Sequence, residues 1–284
     1  MKERETISIT KDIKVSFIFA KRNLLSYFLA MLGLLVLLTL AIVAVAVPLG
    51  LAISYGPWSQ GAAETQATAD LLIITILGMT IAIAVFTFLL LVLGGIFGMS
   101  KEIIEVGKSH AEKPFSTIKN KFVPLVMGSF LLTLILLGVP LLIGGLVSWG
   151  FGWTIPQILS WILGAIFLAW IFIIGGFLAM VFPSIVDGKG LMKSISESIK
   201  KAKSHPGRIF GVRGIFTAIW IGVWIPIILW GLLVSPDVNP IASMWIAIYA
   251  PVVVFILIFF ILPAENIALT RIYNDLEGKP LADL

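Results

Sequence analysis

Cysteine is missing from this chain of 284 residues, and charged residues are scarce. Without cysteine the protein has no disulfide, no thiolate nucleophile and no cysteine-ligated metal. Charged residues make up 12% of the chain and hydrophobic residues 59%, whereas a typical soluble domain is about 25% charged. A soluble core would interrupt its apolar segments with polar positions at helical or strand period. Here the apolar residues come in long blocks, which predicts an all-α, polytopic membrane protein.

Six apolar blocks are long enough to cross a hydrocarbon core of about 30 Å as a helix. They cover approximately residues 24–54, 71–99, 122–147, 158–182, 209–234 and 242–263. The sequence therefore predicts six transmembrane helices within a single integral membrane domain, residues 1–284.

The basic residues alternate with these blocks. All 20 Lys and Arg residues lie in segments 1–23, 100–121, 183–213 and the C-terminal tail, while the connections 55–70, 148–157 and 235–241 hold none. Since positive residues stay on the cytoplasmic side during insertion, we predict a cell-membrane protein with both termini cytoplasmic. Arg213 overlaps the fifth block but is assigned to the basic loop, and Glu265 to the interface. The apolar interior is thus expected to hold no ionisable side chain.

Several features recur three times in the same order, which suggests an internal repeat. The first, third and fifth blocks end in VPLGLAISYG, VPLLIGGLVSWG and IPIILWGLLVSP, and SFIFAK, STIKNK and SIKKAK precede them. These features predict three hairpins at about residues 12–100, 113–186 and 191–264, each preceded by a short interfacial helix. A C-terminal cytoplasmic tail, residues 265–284, would follow. Chance similarity among apolar segments is the alternative.

The basic segment that begins at Leu191 has the pattern of an amphipathic helix. Its predicted apolar face is formed by Leu191, Met192, Ile195, Ile199 and Ala202, while Ser194, Ser196 and Ser198 are expected on the polar side or flank. One interpretation is a collar that anchors the hairpins. The other is a binding site for anionic lipid headgroups or an acidic protein partner, formed by Lys193, Lys200, Lys201, Lys203 and Arg208.

No sequence motif for catalysis, nucleotide binding or metal binding occurs. His110 and His205 lie in predicted loops without ligand spacing to a carboxylate. We therefore predict no catalytic residue, no cofactor, no metal site and no nucleic-acid partner. The glycine pairs Gly94-Gly95 and Gly175-Gly176 predict close helix packing.

Two stretches, SISESIKKAK (194–203) and ALTRIYNDLEGKPL (268–281), carry a resemblance. The chain resembles largely uncharacterised prokaryotic six-span proteins related to the membrane domain of glycerophosphodiester phosphodiesterases. That resemblance implies a membrane domain working beside lipids or partner proteins. The phosphodiesterase barrel is absent, so the resemblance implies no catalytic residue.

Two classes of function fit the sequence. The first is a non-catalytic scaffold or accessory subunit whose basic cytoplasmic face binds anionic lipid or a partner protein. The alternative is a passive transporter or lipid-moving protein with a path between the three hairpins. The first predicts a packed centre, and the second predicts a groove or cavity there.

Overall fold

The computed structural model describes the backbone of residues 2–55, 64–151, 156–233 and 240–282. It describes the side chains of residues 9–40, 43, 78–148, 150–151, 156–226 and 248–282. Within these ranges every regular element is a helix. The helices are α1 (Lys2–Arg22), α2 (Leu24–Tyr55), α3 (Glu64–Val106), α4 (Lys113–Asn120), α5 (Phe122–Thr133), α6 (Val139–Gly150), α7 (Gln157–Phe177), α8 (Val181–Val186), α9 (Leu191–Ser204), α10 (Pro206–Leu233), α11 (Pro240–Ile256) and α12 (Leu262–Leu276).

Long apolar helices define the class of protein. Within the described residues, five helical segments are long and apolar enough to cross a membrane: Gly78–Val106, Phe122–Ser148, Gln157–Val186, Pro206–Pro226 and Ile248–Leu276. A sixth is counted if α1 and the first part of α2, which meet at a 76° bend, form one broken span. The prediction of an all-helical, multi-pass membrane protein is confirmed.

Two spans contain a π-helical turn just before a proline. The turns are Leu134–Gly138, ahead of Pro140, and Leu257–Ile261, ahead of Pro263. Proline lacks an N–H and its ring crowds the preceding turn, so a widened turn relieves the clash but leaves one carbonyl unpaired. In the first turn that carbonyl belongs to Ile135, which accepts a hydrogen bond of 3.1 Å from the Trp170 indole of α7. The carbonyl left free by Pro140 thus provides a hydrogen bond between α7 and the span that contains this π-helical turn.

Helices α1, α4 and α9 each stop just before an apolar span, and we call them the lead helices. The chain breaks at Asn23, Lys121 and His205, and the next helix starts at the following residue. Helix α1 packs on α12 and α10, whereas α4 packs on the preceding helix α3 and α9 packs on the preceding helices α7 and α8. The lead helices therefore link successive parts of the bundle.

The centre of the bundle is formed by α3, α8 and α12, which contact one another and which we call the central helices. Their contacts bury large apolar side chains completely, among them Ile103, Ile104, Ile185 and Ile272. Just beyond the end of each central helix stands a glycine with positive φ: Gly107, Gly188 and Gly278. A left-handed residue at this position turns the chain away from the helix, and glycine adopts it without steric cost. The ends of these three helices, together with the lead helices, form the basic end of the protein.

The last central helix corrects one predicted boundary. Residue 265 was expected to begin a cytoplasmic tail, but α12 continues to Leu276 and is buried along most of its length. Although the sequence of α12 is polar and charged, its residues are covered by α1, α3 and α10. Only the residues that follow Leu276 form a tail, and Ala282 N–H donates a 2.7 Å hydrogen bond to Ile104 of α3.

The glycine pairs confirm the predicted close packing. A Cβ on Gly95 would lie 2.8 Å from Ile118 of α4, and one on Gly94 would lie 2.8 Å from Leu125 of α5. Gly176 of α7 is covered in the same way by the ring of Phe210 from α10. Because any side chain at these positions would push the helices apart, the glycines set their spacing.

Candidate functional site: the basic end

The lead helix α9 docks through most of its predicted apolar face, since Leu191, Ile195 and Ile199 pack against the core and Ala202 is buried. Met192 is 75% exposed, whereas Ser194, Ser198 and Ala202 are buried. The buried face thus also includes Ser194 and Ser198, which were predicted on the polar side or flank, whereas Ser196 is exposed as predicted. The helical period identified the amphipathic helix but not the polar groups that its neighbours present.

Ser198 has a specific structural role at the break between α7 and α8. Its hydroxyl donates to the Phe177 carbonyl at 2.7 Å and accepts from the Met180 N–H at 3.1 Å. A broken helix leaves backbone groups unpaired, and a buried unpaired group is costly. Ser198 satisfies one carbonyl and one N–H there, so it fixes where α9 docks.

The five cationic residues predicted as a binding site fall into two groups. Lys193, Lys200 and Lys203 of α9 are exposed, and they form no ion pair within the described part of the chain. Lys201 and Arg208 instead face inward and are paired with carboxylates. The structure therefore leaves three of these charges available at the surface and uses two internally.

Arg208 belongs to a buried cluster that joins three helices. Its guanidinium contacts Asp12 of α1 through Nε at 2.7 Å and Nη2 at 3.0 Å. Nη1 donates to Asp275 of α12 at 2.5 Å. The Nε of Arg271, also in α12, donates to the same Asp12 carboxylate at 3.2 Å. The side chain of Asp12 is only 2% exposed, so one buried carboxylate holds two arginines and fastens α1 to α10 and α12.

Lys201 belongs to a second cluster, which binds the C-terminal segment to α9. Lys201 pairs with Glu277 and lies 3.9 Å from the centre of the Tyr273 ring. Lys189 bridges Glu197 at 2.5 Å and Glu277 at 2.8 Å. Partial burial opposes the ionisation of Glu277, but Lys189 and Lys201 outweigh it and lower the pKa of its carboxyl.

The ammonium groups of this cluster respond differently to their surroundings. Burial opposes the charge of Lys189, yet Glu197 and Glu277 outweigh it and raise its pKa. For Lys201 burial prevails over the attraction of Glu277, so its pKa is lowered.

A third cluster is centred on Asp187, just beyond α8. Its carboxylate pairs with Lys279 and, at 2.9 Å, with Lys101 of α3, and it accepts the Tyr273 hydroxyl at 3.1 Å. Burial alone would raise the pKa of Asp187. The two ammonium groups outweigh that effect and lower the pKa to about 2. The ends of all three central helices are thus joined by ion pairs.

The exposed cations of the basic end extend beyond α9. Several other basic side chains are exposed and form no ion pair with the described residues: Lys11, Lys14, Lys21, Arg22, Lys108 and Lys119. We call these residues, together with Lys193, Lys200 and Lys203, the cationic surface. Sequence reasoning singled out the α9 lysines because they are clustered there. The others belong to the same surface because α1 and α4 lie at the same end.

Arg213 and Glu265 contradict the expectation that the apolar interior holds no ionisable side chain. Arg213 lies in the span Pro206–Pro226 and Glu265 in the span Ile248–Leu276. The two charges attract each other without direct contact, and Trp220 lies beside Glu265. The Nε of Arg213 is fully buried and has no hydrogen-bond partner. Arg213 was assigned to the loop because basic residues dominate the sequence before it, but α10 starts seven residues earlier, at Pro206.

Within the described residues, no group of three or more His, Asp or Glu side chains could hold a metal ion. The fold and its charges define a multi-pass helical membrane protein with one strongly cationic end. Comparison of the chain with protein-family models, curated proteins and solved structures yields no match.

Proposed function

We propose that this protein is a non-catalytic membrane scaffold or accessory subunit whose cationic surface binds anionic lipid headgroups. The observation that carries the proposal is the gathering of exposed, unpaired Lys and Arg side chains at one end of the bundle. Each such charge near an anionic leaflet contributes about 1 kcal/mol of attraction. An acidic protein partner on the same side would be recognised by the same charges, but the amphipathic sequence of α9, which is typical of a helix at a membrane interface, favours lipid.

The proposed topology has six spans in three hairpins, with the basic end in the cytoplasm. The order of the contacts supports the repeat. The lead helices α4 and α9 each pack on the second span of the preceding proposed hairpin. The first lead helix, α1, packs on α12, which belongs to the second span of the last hairpin. The glycines Gly107, Gly188 and Gly278 stand at equivalent places after the three second spans. Charge segregation supports the orientation.

The packed contact between the central helices favours a scaffold over a passive transporter. Their buried side chains include Met99, Ile185 and Ile267, all with 0% exposure. A path between the hairpins would have to pass through this contact and through the ion-pair clusters that close the basic end.

The test compares the triple variant K193Q/K200Q/K203Q with K193R/K200R/K203R, which keeps the charge at all three positions. Each variant and the wild type are purified separately in the same neutral detergent. The amount of phosphatidylglycerol retained per protein molecule is then measured at low and high salt. If each charge contributes about 1 kcal/mol, the glutamine variant should bind phosphatidylglycerol about 100-fold more weakly. The arginine variant should match the wild type.

High salt should reduce the lipid retained by the wild type, since exposed charges are screened over about 8–10 Å. Equal retention by the glutamine variant would contradict lipid binding by this surface. If such a variant instead lost a co-purifying acidic protein, a partner protein would be the correct ligand.

A further inference from the structure

Arg213 is the one charged side chain among the buried, unpartnered polar groups in the described part of the chain. Its guanidinium lies against Gly175 of α7, where the missing side chain makes room for it. Its Nε is buried without a partner, and the guanidinium forms no ion pair with a described residue. A guanidinium carries five N–H donors and is always charged. Leaving such a group unpaired in an apolar span is costly, and such residues mark functional sites in membrane proteins.

The position of Arg213 along α10 sets its depth. Arg213 follows Arg208 by five residues, which is about 7.5 Å along a helix axis. Arg208 pairs with Asp275 at the basic end, and Glu265 precedes Asp275 by ten residues, about 15 Å along α12. The Glu265 carboxylate therefore lies deeper than Arg213, which explains why the two attract each other without touching.

We propose that Arg213 binds the phosphate of a membrane phospholipid at the place where α10 packs against α7. A planar guanidinium recognises phosphate through paired hydrogen bonds. The side chain of Arg213 is partly exposed, so a ligand can reach it. It lies about two helical turns from the first residue of α10, a depth at which it can contact the headgroup of a phospholipid in the adjoining leaflet. Phe172 and Phe210 lie at the same helix contact and offer apolar surface for an acyl chain.

This site is separate from the cationic surface, and either proposal can fail alone. Surface charges lose their attraction in salt, whereas a partly buried charge is screened much less. The phospholipid at Arg213 should therefore remain bound at a salt concentration that strips lipid from Lys193, Lys200 and Lys203. That difference provides the readout.

The experiment uses full-length, delipidated protein in a neutral detergent at high salt. Dioleoylphosphatidylglycerol, dioleoylglycerol and inorganic phosphate are added separately, and binding is measured by native mass spectrometry and by the shift in melting temperature. We expect the wild type to bind dioleoylphosphatidylglycerol and to be stabilised by it. Dioleoylglycerol has the same acyl chains without a phosphate and should not bind. Inorganic phosphate lacks the chains and should bind far more weakly.

Three variants and one control complete the design. R213Q should weaken dioleoylphosphatidylglycerol binding by about 10- to 100-fold, as expected for a lost charge-assisted contact. R213K keeps the charge but not the planar fork and should bind with intermediate affinity. E265Q removes a nearby negative charge and should bind more tightly. R22Q, which removes an exposed arginine of the cationic surface, should match the wild type at high salt.

R213Q should not melt at a lower temperature than the wild type without lipid, since it removes a buried, unpaired charge. Equal dioleoylphosphatidylglycerol affinity for wild type and R213Q would overturn the proposal. Equal binding of inorganic phosphate would also overturn it and would indicate a site for a soluble oxyanion. If R213Q does not fold, unchanged lipid affinity in both R213K and E265Q would refute it.

Discussion

The Asp12 carboxylate offers the sharpest test of how the helices are held together. It accepts hydrogen bonds from Arg208 at 2.7 and 3.0 Å and from Arg271 at 3.2 Å, with a side chain only 2% exposed. Replacing it by asparagine keeps the shape but leaves two largely buried guanidinium groups facing an uncharged amide. Removing one partner of a buried ion pair costs about 3–5 kcal/mol. Arg208 retains Asp275, so we expect D12N to lie near the lower limit, at about 3 kcal/mol.

The assay is equilibrium or thermal unfolding of the purified protein in a fixed detergent. The matched control is D275N, which removes a carboxylate from the same Arg208 at a site that is 46% exposed. Because water can replace that partner, D275N should cost less than about 1 kcal/mol. If D12N were as stable as the wild type, or if D275N were equally destabilising, the buried cluster would not hold α1 in place.

Three further predictions concern other parts of the basic end. S198A should destabilise the protein by about 2 kcal/mol in the same unfolding assay, because it leaves the Phe177 carbonyl and the Met180 N–H unpaired. The control S196A, at an exposed position, should change stability by less than about 0.5 kcal/mol. The pKa of Asp187 is about 2, against an ordinary 3.8. Its stabilising effect is therefore complete above about pH 4 and is lost as the pH falls toward about 2. When the unfolding free energies of wild type and D187N are compared over this range, only the wild type should lose stability, by about 2 kcal/mol or less. For orientation, S59C should react with an impermeant maleimide on intact cells, whereas S204C should react only after permeabilisation, and the reverse labelling would contradict a cytoplasmic basic end.

The orientation test illustrates what the structure adds to a sequence-based design. Ser109 lies in a predicted loop and would be chosen as a probe on that ground. In the structure it is buried, and its hydroxyl donates to Glu102 at 2.5 Å. Ser204 at the end of α9 is exposed and is the better position for labelling.

Local properties of the sequence were enough to predict the class of protein and much of its helical framework. Hydropathy over about 20 residues reflects the cost of burying backbone and side chains in hydrocarbon, so it needs no knowledge of tertiary contacts. The amphipathic period of residues 191–203 is equally local, and it identified α9 as a helix. The small faces at Gly94-Gly95 and Gly175-Gly176 predicted close packing because only close contact explains their cost in a helix.

Only the tertiary structure decided which charges are free and which are paired. Asp12 is 196 residues from Arg208 and 259 from Arg271 in the chain, so no local pattern links them. Lys200 and Lys201 are neighbours in one lysine run, yet one is exposed and the other pairs with Glu277. Arg213 was read as part of a basic loop, whereas α10 carries it into an apolar span beside α7. Composition and period determine that a helix enters the membrane; the partner that meets each charged side chain depends on which helices pack together.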